Sequence, residues 1–245
     1  MEKRYSARDF TSKEISEKDL TEIVEIAELS PSWGNSQPWN VYIATGDSLS
    51  KIREKWIEQN AAEIEGNSDL PSGHREDFGE RALNNMNQIF GSVIETLGDP
   101  EEFAKTQPVL FNSTAIVYLT MPKGAPMWSV YDLGAFSMSL MLAACEKDID
   151  SIPAYELIKY PEVLRENLPI PEDEDIIAGI ALGYASDAKV NEFRSSRLSV
   201  EDVLKIIKKF KKRIYPSSIF LRQHDHYMIT TFLKNIIRPQ YPSYS

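Results

Sequence analysis

Residues 128–147, WSVYDLGAFSMSLMLAACEK, are apolar on almost every side of a helix. A surface helix confines its apolar residues to one stripe, so this segment belongs in the middle of a core or in a contact between subunits. Any fold open to the chain has to wrap it. Two β-branched runs are candidates for the sheet beneath it: TAIVYLT (114–120) and IIAGIALGYA (176–185) read as buried strands. NVYIAT (40–45) reads as a third, entered through the loop SPSWGNSQPW (30–39), whose two prolines and glycine sit among small polar residues.

Helical periodicity predicts further elements. Over 16–29, Ser16 caps a helix with Asp19 three residues on, and Leu20, Ile23, Val24 and Ala27 share a face. Similar patterns cover 49–59 and 76–97, and 199–210 behind Ser199. Helices and strands alternate but few β-α-β units are clean, so the expected fold is α+β, a small sheet flanked by helices. Pro216, Pro239 and Pro242 among aromatics make the last thirty or so residues read as an arm that packs on something else.

Charge and cysteine content narrow the function classes. The 245 residues carry 27 Lys and Arg against 37 Asp and Glu, a net charge of −10, which disfavours non-specific nucleic-acid binding. The single cysteine, Cys145, closes no internal disulfide and points to a reducing compartment; at the end of an apolar helix it reads as inert core. MEKRYSARDF has no apolar leader core, and the longest weakly polar runs reach about half a bilayer span, so a soluble, cytoplasmic protein without a membrane partner is expected. His224 and His226 lack a third ligand cluster nearby, so no metal site is expected, and KKFKKR (208–213) reads as the cationic end of a helix. Neither a G-x-G-x-x-G nor a P-loop motif occurs.

Three short stretches can carry chemistry. In Arg4-x-Ser6-x-Arg8, two guanidiniums and a hydroxyl fall on one face of a strand and suit a phosphate; the same pattern also describes a solvated charge cluster. In PSWGNSQPW, Asn35 and Gln37 offer amides that match a heterocycle edge alternating C=O and N–H, although the same residues make ordinary turns. Arg194-Ser-Ser-Arg197 can close a phosphate site from late in the chain, or be a solvated loop before a helix.

Taken together, R-x-S-x-R and then PS-x-x-N-x-QPW resemble the FMN-dependent nitroreductase family. Asp132-Leu133-Gly134 on the apolar helix, DSIPAYE (150–156), YPEVLREN, a strand ending Ala181-Leu182-Gly183-Tyr184, and FRSSR come in the family's order, so the resemblance spans roughly residues 3–206. It implies a central mixed β-sheet flanked by helices in an interlocked homodimer, with residues 1–206 as the FMN-binding domain and 207–245 as an extension packing on the core or the partner. Arg4, Ser6 and Arg197 correspond to phosphate ligands, and Arg8 to the basic residue beside the flavin ring or ribityl chain. Pro31, Ser32 and Asn35 match the loop that reaches the flavin bound mainly by the other subunit; Gln37 comes just after it, either structural or touching the cofactor. Tyr155 and Glu156 match the segment whose backbone N–H approaches flavin N5.

The resemblance implies two FMN per dimer and a ping-pong cycle in which NADH or NADPH passes hydride to N5 and a nitroaromatic, quinone or related acceptor receives it, with no catalytic side chain required. Reductive dehalogenation, flavin reduction, or a non-catalytic flavin-binding sensor or interaction module are the alternatives on the same fold. Two departures stand out: Lys147-Asp148-Ile149-Asp150 replaces a Gly-Leu-like turn before SIPAYE, and FRSSR lacks the lysine that some relatives carry two residues before the last arginine.

Overall fold

A computed structural model describes residues 1–208. The histidine pair, the basic run after Lys208 and nearly all of the arm lie outside the described residues. The chain divides into two units, 1–196 and 197–245. Four strands, β1 (Asn40–Thr45), β2 (Ala115–Pro122), β3 (Asp150–Pro153) and β4 (Glu174–Gly183), form a sheet in the order β1-β2-β4-β3, antiparallel at every pairing. Parallel pairing, expected from the mixed sheet, is confined among the described residues to one bridge, Ser6 to Ser151 at the β3 edge.

β2 lies between β1 and β4, which pair both its edges, while helices cover both its faces, and Ala115–Met121 are all buried. Its alternation serves two layers. Ile116 and Tyr118 join Ile52 and Trp56 of α2 (Gly46–Ala61) and Leu164 of α6 (Pro161–Asn167). Val117 and Leu119 face Leu20 and Ile23 of α1 (Glu17–Ala27) and Phe136 and Leu140 of α5 (Met127–Glu146). The Ser16 cap forms as its sequence dictates, the Ser16 Oγ accepting the Asp19 N–H at 3.1 Å.

The apolar helix α5 is buried on one side only. Leu133, Phe136, Leu140 and Ala144 press on the sheet, while Trp128 and Tyr131 on the other side are 58% and 70% exposed and Met138 and Cys145 are half-buried. By length and composition alone this helix could cross a membrane, a correction to the reading that no run approaches a bilayer span. Polar residues at both ends interrupt the sequence run, yet the helix continues through them.

The single helix expected over 76–97 is broken. A 3-10 turn at Arg75–Phe78 ends at Gly79, whose φ of 80° a helix cannot continue, and α3 (Glu80–Leu97) starts there. Only Val93 and Leu97 of α3 are buried, against Phe103 of the short α4 (Glu101–Ala104), Val190 and Phe193. Phe90 and Ile94 are 61% and 41% exposed.

In the second unit, the helix expected over 199–210 is one turn, α7 (Val200–Val203), capped by Ser199 and Asp202. Leu204, Ile206 and Ile207 are exposed, so among the described residues no packed face repays the cost of extending it.

Candidate cofactor site

Residues 4–8 lie along the β3 edge, where Ser6 bridges Ser151 and the Ala7 N–H donates to the Ser151 carbonyl at 3.1 Å. Strand alternation buries Ala7 and packs Tyr5 on the core, leaving Arg4, Ser6 and Arg8 on the other side. Three of the expected site residues are thereby brought together. Asn191 clamps the backbone at residues 8 and 9: its Oδ1 accepts the Arg8 and Asp9 N–H groups at 2.7 and 3.2 Å, and its amide donates to the Asp9 and Ser186 carbonyls at 2.8 and 3.0 Å.

Arg8 is held between two rings, its guanidinium 4.4 Å from the Phe103 centroid and 5.1 Å from that of Phe193, and donates to the Ser6 carbonyl at 2.9 Å. Burial, and then the positive charge of Arg194, pull it down to about 10. Phe103 and Asn191 were invisible to sequence reasoning, because they meet residue 8 or 9 across 95 and more residues and carry no motif, and FRSSR gave no sign that its Phe193 stacks on Arg8.

The 30–39 loop is built differently. A 3-10 turn at Trp33–Asn35 places Gly34, Asn35 and Gln37 at φ values of 57°, 60° and 43°, natural for glycine, tolerable for asparagine and strained for glutamine. Two bonds fix this shape: the Gln37 N–H donates to Ser32 Oγ at 2.9 Å, and the Trp33 N–H donates to the carboxylate of Asp132, a residue of α5 that is 4% exposed, also at 2.9 Å. Pro31, Asn35 and Gln37 are exposed, and Trp33 is 67% exposed.

Past β3, the Ala154 N–H donates to the Gly179 carbonyl at 3.2 Å and the chain turns at Tyr155–Leu157. The N–H groups of Tyr155 and Glu156, at the head of that turn, have no acceptor among the described residues. The Glu156 side chain points away into α2, accepting from Trp56 Nε1 at 3.2 Å and Asn60 Nδ2 at 3.0 Å and pairing with Lys159 at 3.6 Å, so only its backbone is offered to a ligand. The departure at 147–150 is absorbed locally. Asp148 takes the left-handed conformation at φ 57° and wraps the end of α5, its N–H donating to the Cys145 carbonyl at 3.2 Å.

Where β3 ends, a cleft of about 430 Å³ opens onto Tyr155, lined by Leu70, Pro71, Phe78, Ile158 and Ile177. Its rim is pinned by Asp69, which accepts from Arg165 at 2.7 Å and from the Ile176 N–H at 2.8 Å.

The basic segment and the 30–39 loop do not meet. The register row Ser6–Ser151–Leu182–Ala115–Thr45 crosses the sheet to β1, and the loop joins β1 at its other end, Asn40. With strands ~4.8 Å apart and ~3.3 Å per residue, that diagonal is roughly 25 Å. Arg197 belongs to the second unit.

An antiparallel sheet between two helical layers, with a cationic edge and unpaired backbone donors at the end of a strand, defines an α+β protein built to hold an anionic ligand. The sequence profile of the nitroreductase family matches residues 1–184, and the chain belongs to that family. It is 26% identical over 211 residues to a chloronitrobenzene nitroreductase of Comamonas testosteroni, covering 81% of this chain and 91% of the relative. It is 28% identical over 208 residues to nitroreductase NfnB of Mycolicibacterium smegmatis, covering 81% and 87%. The crystal structure of the FMN-dependent nitroreductase NfnB from Mycobacterium smegmatis in complex with NADPH superposes with a TM-score of 0.76 at 24% identity, covering 83% of this chain and 94% of that one.

Proposed function

We propose that the chain is an FMN-dependent NAD(P)H oxidoreductase that reduces nitroaromatic, quinone or related small acceptors by a ping-pong cycle, working in the cytoplasm as a homodimer with one FMN at each of two equivalent subunit contacts. The observation that carries the reading is the grouping of Arg4, Ser6 and Arg8, with no carboxylate in ion-pair contact with them among the described residues, on the strand edge that leads to the two unpaired N–H groups at Tyr155 and Glu156. A flavin phosphate fits the former and a flavin ring edge the latter. Relatives named for reduction of chloronitrobenzene and 4-nitrobenzoate support the acceptor class.

Bound there, FMN would supply two-electron hydride chemistry. The chain's own residues do the rest. Arg4 and Ser6 bind the phosphate, joined by Arg197 on the sequence resemblance. Arg8, desolvated and still protonated at neutral pH, stabilises negative charge that develops on the ring. The Tyr155 and Glu156 N–H groups would help hold the flavin, and the apolar cleft would keep water from the acceptor. The loop of Pro31, Ser32, Asn35 and Gln37 reaches the cofactor of a second copy, because its own basic edge lies roughly 25 Å away. The Trp128–Tyr131–Met138–Cys145 side of α5 supplies apolar surface for that contact.

Purified protein is expected to be yellow with two FMN per dimer by absorbance and light scattering, to bleach anaerobically with NADH or NADPH, and to recover its colour on adding a nitroaromatic. A flavin that neither nicotinamide reduces, or a chain that holds no added FMN, would refute the reading.

A further inference from the structure

The cleft where β3 ends is walled from three directions. Leu70 and Phe78 come from the segment between α2 and α3, Ile158 from the turn after β3, and Ile177 from β4, where it is the extra residue of a bulge against β2. Among the described residues that line it, only Ser72 and Tyr155 have a polar side-chain atom, and none is charged. The Tyr155 hydroxyl is itself turned toward Gly66, 2.6 Å from where a Cβ there would stand. The cations nearest in sequence are already engaged. Lys159 donates to Asn60 at 2.8 Å and pairs with Glu156 at 3.6 Å, and Arg165 is held by Asp69 and the Glu174 carbonyl at 2.7 and 2.8 Å. Arg75 shares its exposed turn with Glu76 and Asp77, so that turn presents no net positive charge. A carboxylate entering the cleft therefore loses water and meets no counter-charge, whereas an uncharged group of the same shape loses far less.

We propose that this cleft selects the electron acceptor by charge: it takes uncharged nitroarenes, discriminates against those carrying a carboxylate, and has Phe78 as a specificity-determining side chain. The proposal rests on the oxidoreductase reading above, whose acceptor class includes both kinds, and narrows it. At about 430 Å³ the cleft falls in the range of small-molecule sites. Phe78 is the place to test the selection, because it lines the cleft yet is 58% exposed at the end of a 3-10 turn, so replacing it disturbs no packed core.

The test compares 4-nitrobenzamide with 4-nitrobenzoate, two acceptors of nearly one shape that differ in charge. FMN-loaded protein is first bleached with NADH or NADPH, and kcat/KM is then measured for each acceptor. In parallel, benzamide and benzoate, which carry no nitro group to reduce, are titrated against the absorbance of the oxidised flavin. The neutral member of each pair is expected to be favoured roughly tenfold or more. Phe78→Lys should narrow both gaps roughly two- to fivefold, and Phe78→Leu, which changes shape and not charge, should leave them. Comparing variants cancels the intrinsic reactivity of the two nitro groups. Equal binding of benzamide and benzoate by wild type overturns the proposal, as does a preference seen in kcat/KM alone. Gaps that Phe78→Lys leaves unchanged overturn it too; Ser72→Lys, on the same wall, takes its place if that variant fails to fold. A bound flavin that neither nicotinamide bleaches overturns the oxidoreductase reading before any acceptor is added, while the benzamide and benzoate titrations still decide the cleft. A chain that holds no flavin overturns both.

Discussion

The two halves of the proposed cofactor site are held in opposite ways. Around residues 4–9 the backbone is clamped by Asn191, Asp9 is tied to Asn112 at 2.8 Å and to Ser186, and the Arg8 side chain is stacked between two rings. Around residues 31–37 one buried carboxylate and one hydroxyl fix a turn with three left-handed residues, and the amides of Asn35 and Gln37 face outward. A half that meets its ligand within the same subunit can be completed by that subunit. On the proposed dimer, the half that reaches another copy has to be shaped in advance and left uncovered, so its few anchors matter more for assembly than for folding.

The largest disruption is expected from Asn191→Ala. Removing this side chain, which is 7% exposed, strands the Arg8 and Asp9 N–H groups and the Ser186 carbonyl, while the Asp9 carbonyl keeps the Ser186 N–H, and should cost ~2–4 kcal/mol in chemical denaturation. Stability and FMN affinity should fall together, because the clamp and the phosphate site share a backbone. Asp132→Ala should separate the two effects. The Trp33 N–H loses its acceptor at a cost of ~1–2 kcal/mol, while FMN occupancy and dimer formation, tracked by absorbance across a size-exclusion peak, drop further than the melting temperature alone accounts for. Equal and small losses in both would break the contrast between the halves.

Arg8→Met should have the smallest effect on stability, and of the opposite sign. In the fold Arg8 is pulled to about 10, below its unfolded value, so its charged form is disfavoured on folding. That cost is full below pH 10 and fades as pH rises through it. The apoprotein variant should therefore melt roughly 2–4 °C above wild type at neutral pH, with the gap closing above pH 10, and should bind FMN less tightly. A lower melting point would mean that the stacked stem of Arg8 outweighs its buried charge.

The strands at 40–45 and 115–122, the Ser16 cap and the core helix were legible because each is specified by neighbours in sequence. Gly79 shows where periodicity misleads: the apolar spacing of Phe78 and Ala82 runs straight through it, but one positive φ decides the break. Val203–Ile207 show the reverse, a sound helical pattern whose apolar residues stay exposed among the described residues. The candidate site reads in the sequence as three motifs. Their placement was not, since Asn191 and Arg8 meet 183 residues apart. Nor did spacing reveal that the basic segment and the loop stand at opposite corners of one sheet.

That diagonal has a genetic corollary. On the proposed dimer, a copy damaged at Arg4 and Ser6 and a copy damaged at Asn35 are each inactive with themselves, because both of their sites carry the lesion. Mixed together, they assemble one site with both defects and one with none. Two null alleles of this chain can therefore rescue each other in a single cell, and a single loop mutant co-expressed with wild type disables one site in each mixed pair.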